Sequence, residues 1–249
     1  MGRDKKFSWN PEGTPSVLPD APPPIRGMKA EDLDVAFQPI IDLRNGNVFA
    51  HEAFVRCKIP EYLSPVKLFK QASAEMACGR LGRTVRDVIF SNEIETPVFV
   101  NIHPDELTTR WLVRPDDPLC SYGNGVYLEI TEMNRFSYST IDLKILEEIC
   151  SRSGAYIVLD DLGAGFSNLK RLVEFSPAIV KIDRSLTKDL HKHPRNQIVV
   201  RHLCQMCTEL GIEVVIEYIE TVEELNAACD VGAHYGQGYF LARPGKLFK

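Results

Sequence analysis

The sequence predicts an α/β fold, a TIM-like (β/α) barrel with a β-hairpin at its start. Three observations carry that expectation. Short apolar runs alternate with amphipathic helical stretches along most of the chain. The number of these strand–helix units favours a closed barrel over an open sheet. The length, 249 residues, suits one barrel-sized domain.

The elements follow in order. Residues 1–30 carry prolines at 11, 15, 19, 22, 23 and 24, too many for a helix or a central strand, so they are expected as an extended or disordered tail. The barrel domain is expected over 31–249, beginning near Asp32. Strands over 35–41 and 48–55 flank the Asn45-Gly46 turn and read as a hairpin. Helical stretches are expected over 65–78 and 83–94. Apolar strands follow at 97–102, 126–130, 156–159, 178–182 and 214–216, with helical runs at 140–153, 196–210 and 222–231 between or after them.

Composition excludes several classes. With 44% hydrophobic and 25% charged residues, the chain is neither disordered nor collagen-like. No apolar run approaches the roughly 20 residues needed to span a bilayer, and the first residues lack the apolar stretch of a secretory signal. A net charge of −5 argues against a nucleic-acid polymer as partner. It leaves room for a small phosphorylated ligand held through metal ions. Seven scattered cysteines argue against a disulfide framework and fit a reducing cytoplasm. Cys204 and Cys207 have metal or redox spacing, but they fall on the apolar stripe of a helix and are expected in the core.

The polar residues fall at the strand ends. Glu52 lies within the second strand. Asn101 closes Val-Phe-Val, Glu129 closes Val-Tyr-Leu and Asp160-Asp161 closes Tyr-Ile-Val-Leu. Lys181 follows Ala-Ile-Val and Glu217 follows Val-Val-Ile. In a barrel these ends converge on one face, where active sites lie. Five carboxylates together repel one another unless a cation neutralises them. Hard oxygen donors suit Mg2+ or Mn2+, in number enough for two ions with a shared carboxylate. Asp160-Asp161 is the natural bridging point. Two such ions are an arrangement known for phosphodiester hydrolysis. Enolate chemistry with Lys181 as base fits the same residues, and spacing alone does not separate the two.

The motifs do. Phe37-Gln38-Pro39-Ile40, Glu52-Ala53-Phe54-Val55-Arg56, Val100-Asn101-Ile102 and Leu128-Glu129-Ile130-Thr131-Glu132 appear in order. Asp160-Asp161-Leu162-Gly163-Ala164-Gly165-Phe166-Ser167, Lys181-Ile182-Asp183, Glu217 with Glu220, and Gln237-Gly238-Tyr239 complete the series. In this order and spacing the chain resembles the EAL-domain family of cyclic di-GMP phosphodiesterases, from about Phe37 to Pro244. The resemblance implies that Glu52, Asn101, Glu129 and Asp160 hold one metal, and that Asp160, Asp161 and Glu217 hold or orient the second. It gives Lys181 the attacking water, a role suited to a lysine of lowered pKa. Gln38, Phe54, Arg56, Asp183 and Gln237 form the substrate set, with Arg56 on a phosphate. Glu132 and Glu220 position loops, although Glu220 also reads as a helix-start acid. The implied product is linear pGpG, and the implied assembly is a homodimer.

The sequence departs from the family pattern at several points. Phe54 replaces the leucine of the name-giving motif, Cys57 a frequent tryptophan, and Leu162 and Ala164 a phenylalanine and a threonine. Tyr218 stands where the family usually has glycine. If Tyr218 continues the strand through Glu217, it points away from the mouth and packs behind it. Retention of the presumed ligands and Lys181 favours an enzyme; a receptor that binds cyclic di-GMP and signals through a partner is the alternative.

Overall fold

A computed structural model describes residues 7–9, 15–17, 23–108, 111–123, 125–131, 140–163 and 169–247. Near the start, β1 (Phe7–Trp9) and β2 (Pro15–Val17) pair antiparallel, with Phe7 opposite Val17. The chain packs onto the barrel from residue 23 onward. Ile25 and Met28 are buried, and Tyr62 donates its hydroxyl to Pro23 O at 3.0 Å.

The expected hairpin is present. β3 (Leu33–Asp42) and β4 (Val48–Cys57) pair antiparallel around a turn in which Gly46 takes a φ of 75°, and Gln38 stands opposite Glu52. Glycine suits that turn because it reaches positive φ without a Cβ clash. Then β5 (Val98–Asn101), β6 (Val126–Thr131), β7 (Tyr156–Leu162), β8 (Ile179–Ile182) and β9 (Glu213–Ile216) add in parallel. A two-residue strand, β10 (Tyr235–Gly236), runs parallel to β9 and antiparallel to β3, and so closes an eight-stranded barrel. Sequence reading misses β10, because two residues are too short to display a period.

The helices cover the outside. They are α1 (Pro65–Ala74), α2 (Cys78–Phe90), α3 (Pro104–Thr108), α4 (Leu119–Tyr122), α5 (Thr140–Ser153), α6 (Leu169–Phe175), α7 (Arg184–Thr187), α8 (Pro194–Glu209) and α9 (Val222–Asp230). The stretches expected at 65–78 and 83–94 divide differently. Met76 turns left-handed at φ 52°, so α1 ends at Ala74 and α2 begins at Cys78. α3, α4, α6 and α7 have seven residues or fewer, too few for a helical period to register. Cys204 and Cys207 are buried in α8, as their apolar stripe requires. Among the described residues no helix is long and apolar enough to cross a membrane.

Two layers of core result. The large one lies between barrel and helices. The small one fills the barrel: Ile40, Ala50, Phe99, Val158, Ile179, Val215 and Tyr235, with Tyr127 against them. These residues set the floor on which the site rests.

Candidate active site

Side chains on a strand alternate between faces, so the residue two positions from an inward one also points inward. Every strand of this barrel carries the same apolar-to-polar step, in β9 and β10 with the polar member one residue past the strand end. Ala50 is followed by Glu52, Phe99 by Asn101, Tyr127 by Glu129, Val158 by Asp160, Ile179 by Lys181, Val215 by Glu217 and Tyr235 by Gln237. On antiparallel β3 the order reverses, with Gln38 preceding Ile40. An apolar floor therefore lies one pleat below a polar layer.

Asp160 and Asp161 are adjacent, yet both line the cleft. The register between β7 and β8 shifts between Leu159 and Leu162, and Asp161 takes a left-handed φ of 59°. Such a bulge swings an extra side chain to the face its neighbour uses. One donor oxygen each from Asp160, Asp161 and Glu217 lie within 4.8 Å of one another.

Lys181, 1% exposed, is the cation at the centre. Its Nζ lies 2.8 Å from Glu52 Oε2 and from Glu129 Oε1, 2.9 Å from Glu217 Oε1 and 3.7 Å from Asp160 Oδ1. Amides complete the layer. Asn101 Nδ2 donates to Glu52 Oε1 at 3.1 Å, and Gln237 Nε2 donates to Glu52 Oε2 at 2.9 Å. Gln38 Nε2 donates to Ala242 O at 2.9 Å, which ties the segment after β10 to the cleft.

Five carboxylates face one ammonium, and burial together with the excess negative charge shifts their pKa values. Burial, with Glu52 and Asp160 adding to it, pushes Glu129 well above the usual carboxylate range. Burial raises Asp160, lifts Asp161 to about 6, and lifts Glu217 to about 8. Burial also pushes Glu52 upward, but Lys181, Gln237 and Asn101 outweigh it and its pKa falls. Lys181 itself corrects an expectation. Burial disfavours its charge, yet the surrounding carboxylates hold its pKa well above normal, so the chain alone keeps this lysine protonated. Glu129 Oε2 and Asp160 Oδ1 are buried without a hydrogen-bond partner. Unsatisfied buried carboxylate oxygens beside a surplus of negative charge fit divalent cations as the absent partners.

The cleft above has a volume of about 450 Å3. Phe54 and Arg56 line one wall, with the Arg56 guanidinium 5.8 Å from the Phe54 ring and its Nη1 donating to Val55 O. Glu220 and Arg184 line the other and pair at 3.2 Å. Asp183 stands apart from these lining residues. Its Oδ1 accepts from Ser185 N at 2.8 Å and caps α7. Glu132 and residues 164–167 of the glycine loop lie outside the described residues.

Tyr218 departs from expectation. β9 ends at Ile216, so strand alternation no longer applies, and Tyr218 adopts a left-handed φ of 58°. Its ring lines the cleft, 47% exposed, instead of packing behind the strand.

Sequence reading missed a buried network among α2, α3 and the segment before α4. Arg86 donates to Asp117 through Nε and Nη2, at 3.0 and 2.7 Å, and to Glu106 through Nη1 at 2.7 Å. Glu106 Oε1 accepts from His103 N, just after Asn101. A polar residue at helical spacing from a core position was the only available signal. Cys78, His103 and Asp105 also cluster, but they bond to one another and to Ser73, and burial pushes the Cys78 thiol up to about 12.

Comparison with known proteins places the chain in a family and supports its fold. The EAL domain family model matches residues 25–244. The cyclic di-GMP phosphodiesterase RocR of Pseudomonas aeruginosa is 26% identical over 246 residues, covering 91% of this chain and 61% of that protein. The cyclic di-GMP phosphodiesterase PdeR of Escherichia coli is 27% identical over 232 residues, covering 88% and 35%. The chain therefore spans less than two thirds of either relative, 61% of the first and 35% of the second. Klebsiella pneumoniae BlrP1, solved as a manganese and cyclic di-GMP complex, superposes with a TM-score of 0.74 at 29% identity, covering 90% of this chain and 58% of that one. The EAL domain of Xanthomonas citri FimX, bound to cyclic di-GMP, gives 0.76 at 21% identity, covering 87% and 89%, and supports the fold alone.

Proposed function

We propose that this chain, which belongs to the EAL domain family, is a phosphodiesterase that hydrolyses cyclic di-GMP to linear pGpG with two Mg2+ or Mn2+ ions. The observation that carries the reading is the polar layer itself: five carboxylates, Asn101 and Lys181 projecting together above an apolar floor.

In this reading Glu52, Asn101, Glu129 and Asp160 hold one ion, and Asp160, Asp161 and Glu217 hold the other. The ions supply positive charge that acidifies water and offsets charge on the phosphodiester. Lys181 orients the attacking water by donating to it. It can also accept a proton once cations, rather than its own ammonium, balance the surrounding carboxylates. Arg56 meets a phosphate with a charged, forked donor set. Gln38 and Gln237 offer amides at the cleft floor and Phe54 an apolar wall, while Asp183, outside the cleft lining, caps α7. Glu220 positions Arg184, and Glu132 the loop after Asp161. The homodimer implied by the family and the cytoplasmic setting that the scattered cysteines fit belong to the same reading, and sedimentation of the purified chain tests the first.

The deciding assay incubates the protein with cyclic di-GMP and Mg2+ or Mn2+ and separates pGpG from substrate. EDTA should abolish turnover and Mn2+ restore it. Full turnover after exhaustive chelation would sink the two-metal reading. A cyclic di-GMP receptor is the second reading, favoured by one observation: Tyr218 projects into the cleft directly beside Glu217. Tight binding without pGpG would select it.

A further inference from the structure

Tyr218 holds a backbone conformation that a bulky residue rarely adopts, and its surroundings explain why the chain must turn there. On one side, Glu217 aims its carboxylate at Lys181, while its carbonyl accepts from Thr187 Oγ1 at 3.4 Å. On the other, Ile219 is 1% exposed, donates its N–H to Gln237 O at 3.1 Å and accepts from Phe240 N at 3.0 Å. A left-handed residue between them lets Glu217 enter the cleft while Ile219 enters the core. Glycine meets that demand without strain. A tyrosine there has a cost that the backbone alone does not explain, and strain of this kind gathers at functional positions.

What the ring faces gives a reason. It is half-exposed on the cleft wall, with the Arg184 guanidinium over one face, 5.5 Å from the ring centroid, and the other face left for a ligand. Arg184 is in turn held by Glu220 Oε2 at 3.2 Å. Arg184, Glu217, Tyr218 and Glu220 all line the same cleft. An exposed aromatic face stacks on a nucleobase, since every base has a π-face. A guanidinium beside it matches the two acceptors, O6 and N7, on a guanine edge.

We infer that Tyr218 and Arg184 form a base clamp on the Glu217 side of the cleft, with Tyr218 stacking on one guanine of the substrate and Arg184 reading its edge. This rests on the cyclic di-GMP reading above. Tyr218 thereby acts as a specificity-determining residue that this chain carries in place of glycine.

Calorimetric titration of cyclic di-GMP, with Ca2+ present, into wild type, Tyr218→Gly and Tyr218→Phe tests the clamp, with a melting curve for each protein. Tyr218→Gly should bind roughly tenfold more weakly or worse, yet melt no lower than wild type because the backbone strain is relieved. Tyr218→Phe should recover most of the affinity, because it restores the π-face. Arg184→Met should narrow the preference for cyclic di-GMP over cyclic di-AMP. Unchanged affinity in Tyr218→Gly overturns the clamp while leaving the functional reading intact, and so does a large drop in its melting temperature, which would make the ring structural. An unchanged preference in Arg184→Met overturns the edge reading. No binding by wild type overturns the functional reading and the clamp together.

Discussion

Lys181 Nζ lies 2.8 Å from Glu52 Oε2, a pairing that ties β8 to β4 across the inside of the barrel. The lysine is the cation that the site's five carboxylates share, and the loss of either partner leaves buried charge uncompensated.

Lys181→Met is therefore expected to destabilise the chelated protein by about 3–5 kcal/mol, the usual cost of breaking a buried ion pair from one side. Mn2+ should recover part of that loss, because the same carboxylates accept a different cation. Melting curves with EDTA and with Mn2+ check this. An identical drop under both conditions would show that the carboxylates do not share their cation with a metal.

Metal binding should release protons. Glu217, raised to about 8, is mostly protonated at pH 7, and Asp161, raised to about 6, is partly so near pH 6. A metal must displace those protons to reach the oxygens. Apparent Mn2+ affinity is thus expected to climb from pH 6 to 8 and level off above. Calorimetry in two buffers of different ionisation heat counts the protons; equal heats at pH 7 would contradict the raised Glu217.

Arg56→Ala should weaken cyclic di-GMP binding by about 1.5–3 kcal/mol, the range for a hydrogen bond to a charged group. Stability should hardly change, since Arg56 is exposed and among the described residues its side chain donates only to the neighbouring Val55 O. Titration beside a melting curve separates the two. A changed melting point with unaltered affinity would remove Arg56 from the substrate set.

Gly82→Ala should cost about 3 kcal/mol or more, because a Cβ there would overlap the buried Glu106 carboxylate. Displacing Glu106 breaks its contacts with Arg86 and with His103 N, and His103 follows Asn101 by two residues. Mn2+ affinity should fall along with stability. Wild-type stability in Gly82→Ala would mean that Glu106 can move freely.

The strand ends were legible because alternation is local. Ala50 to Glu52, Phe99 to Asn101 and Val158 to Asp160 are two-residue steps, and any extended chain sends both members of such a pair to the same face. Gln237 had no such support in the sequence. Its strand is Tyr235 and Gly236 alone, and its place came from resemblance to the family.

By itself the sequence determined the order of strands and helices, the hairpin, and the acids and lysine that meet above the floor. These follow from hydrophobic period and from turn chemistry, which each segment carries within itself. Only the tertiary structure decided the rest. Barrel closure through β10 depends on pairing with both β9 and β3, the latter nearly 200 residues earlier in the chain. Arg86 found Glu106 and Asp117 across three separate segments. Tyr218 turned into the cleft because Ile182, Gln237 and Phe240 bond to the backbone on either side of it. A left-handed residue is set by where its two neighbours must go, and that is information no local pattern holds.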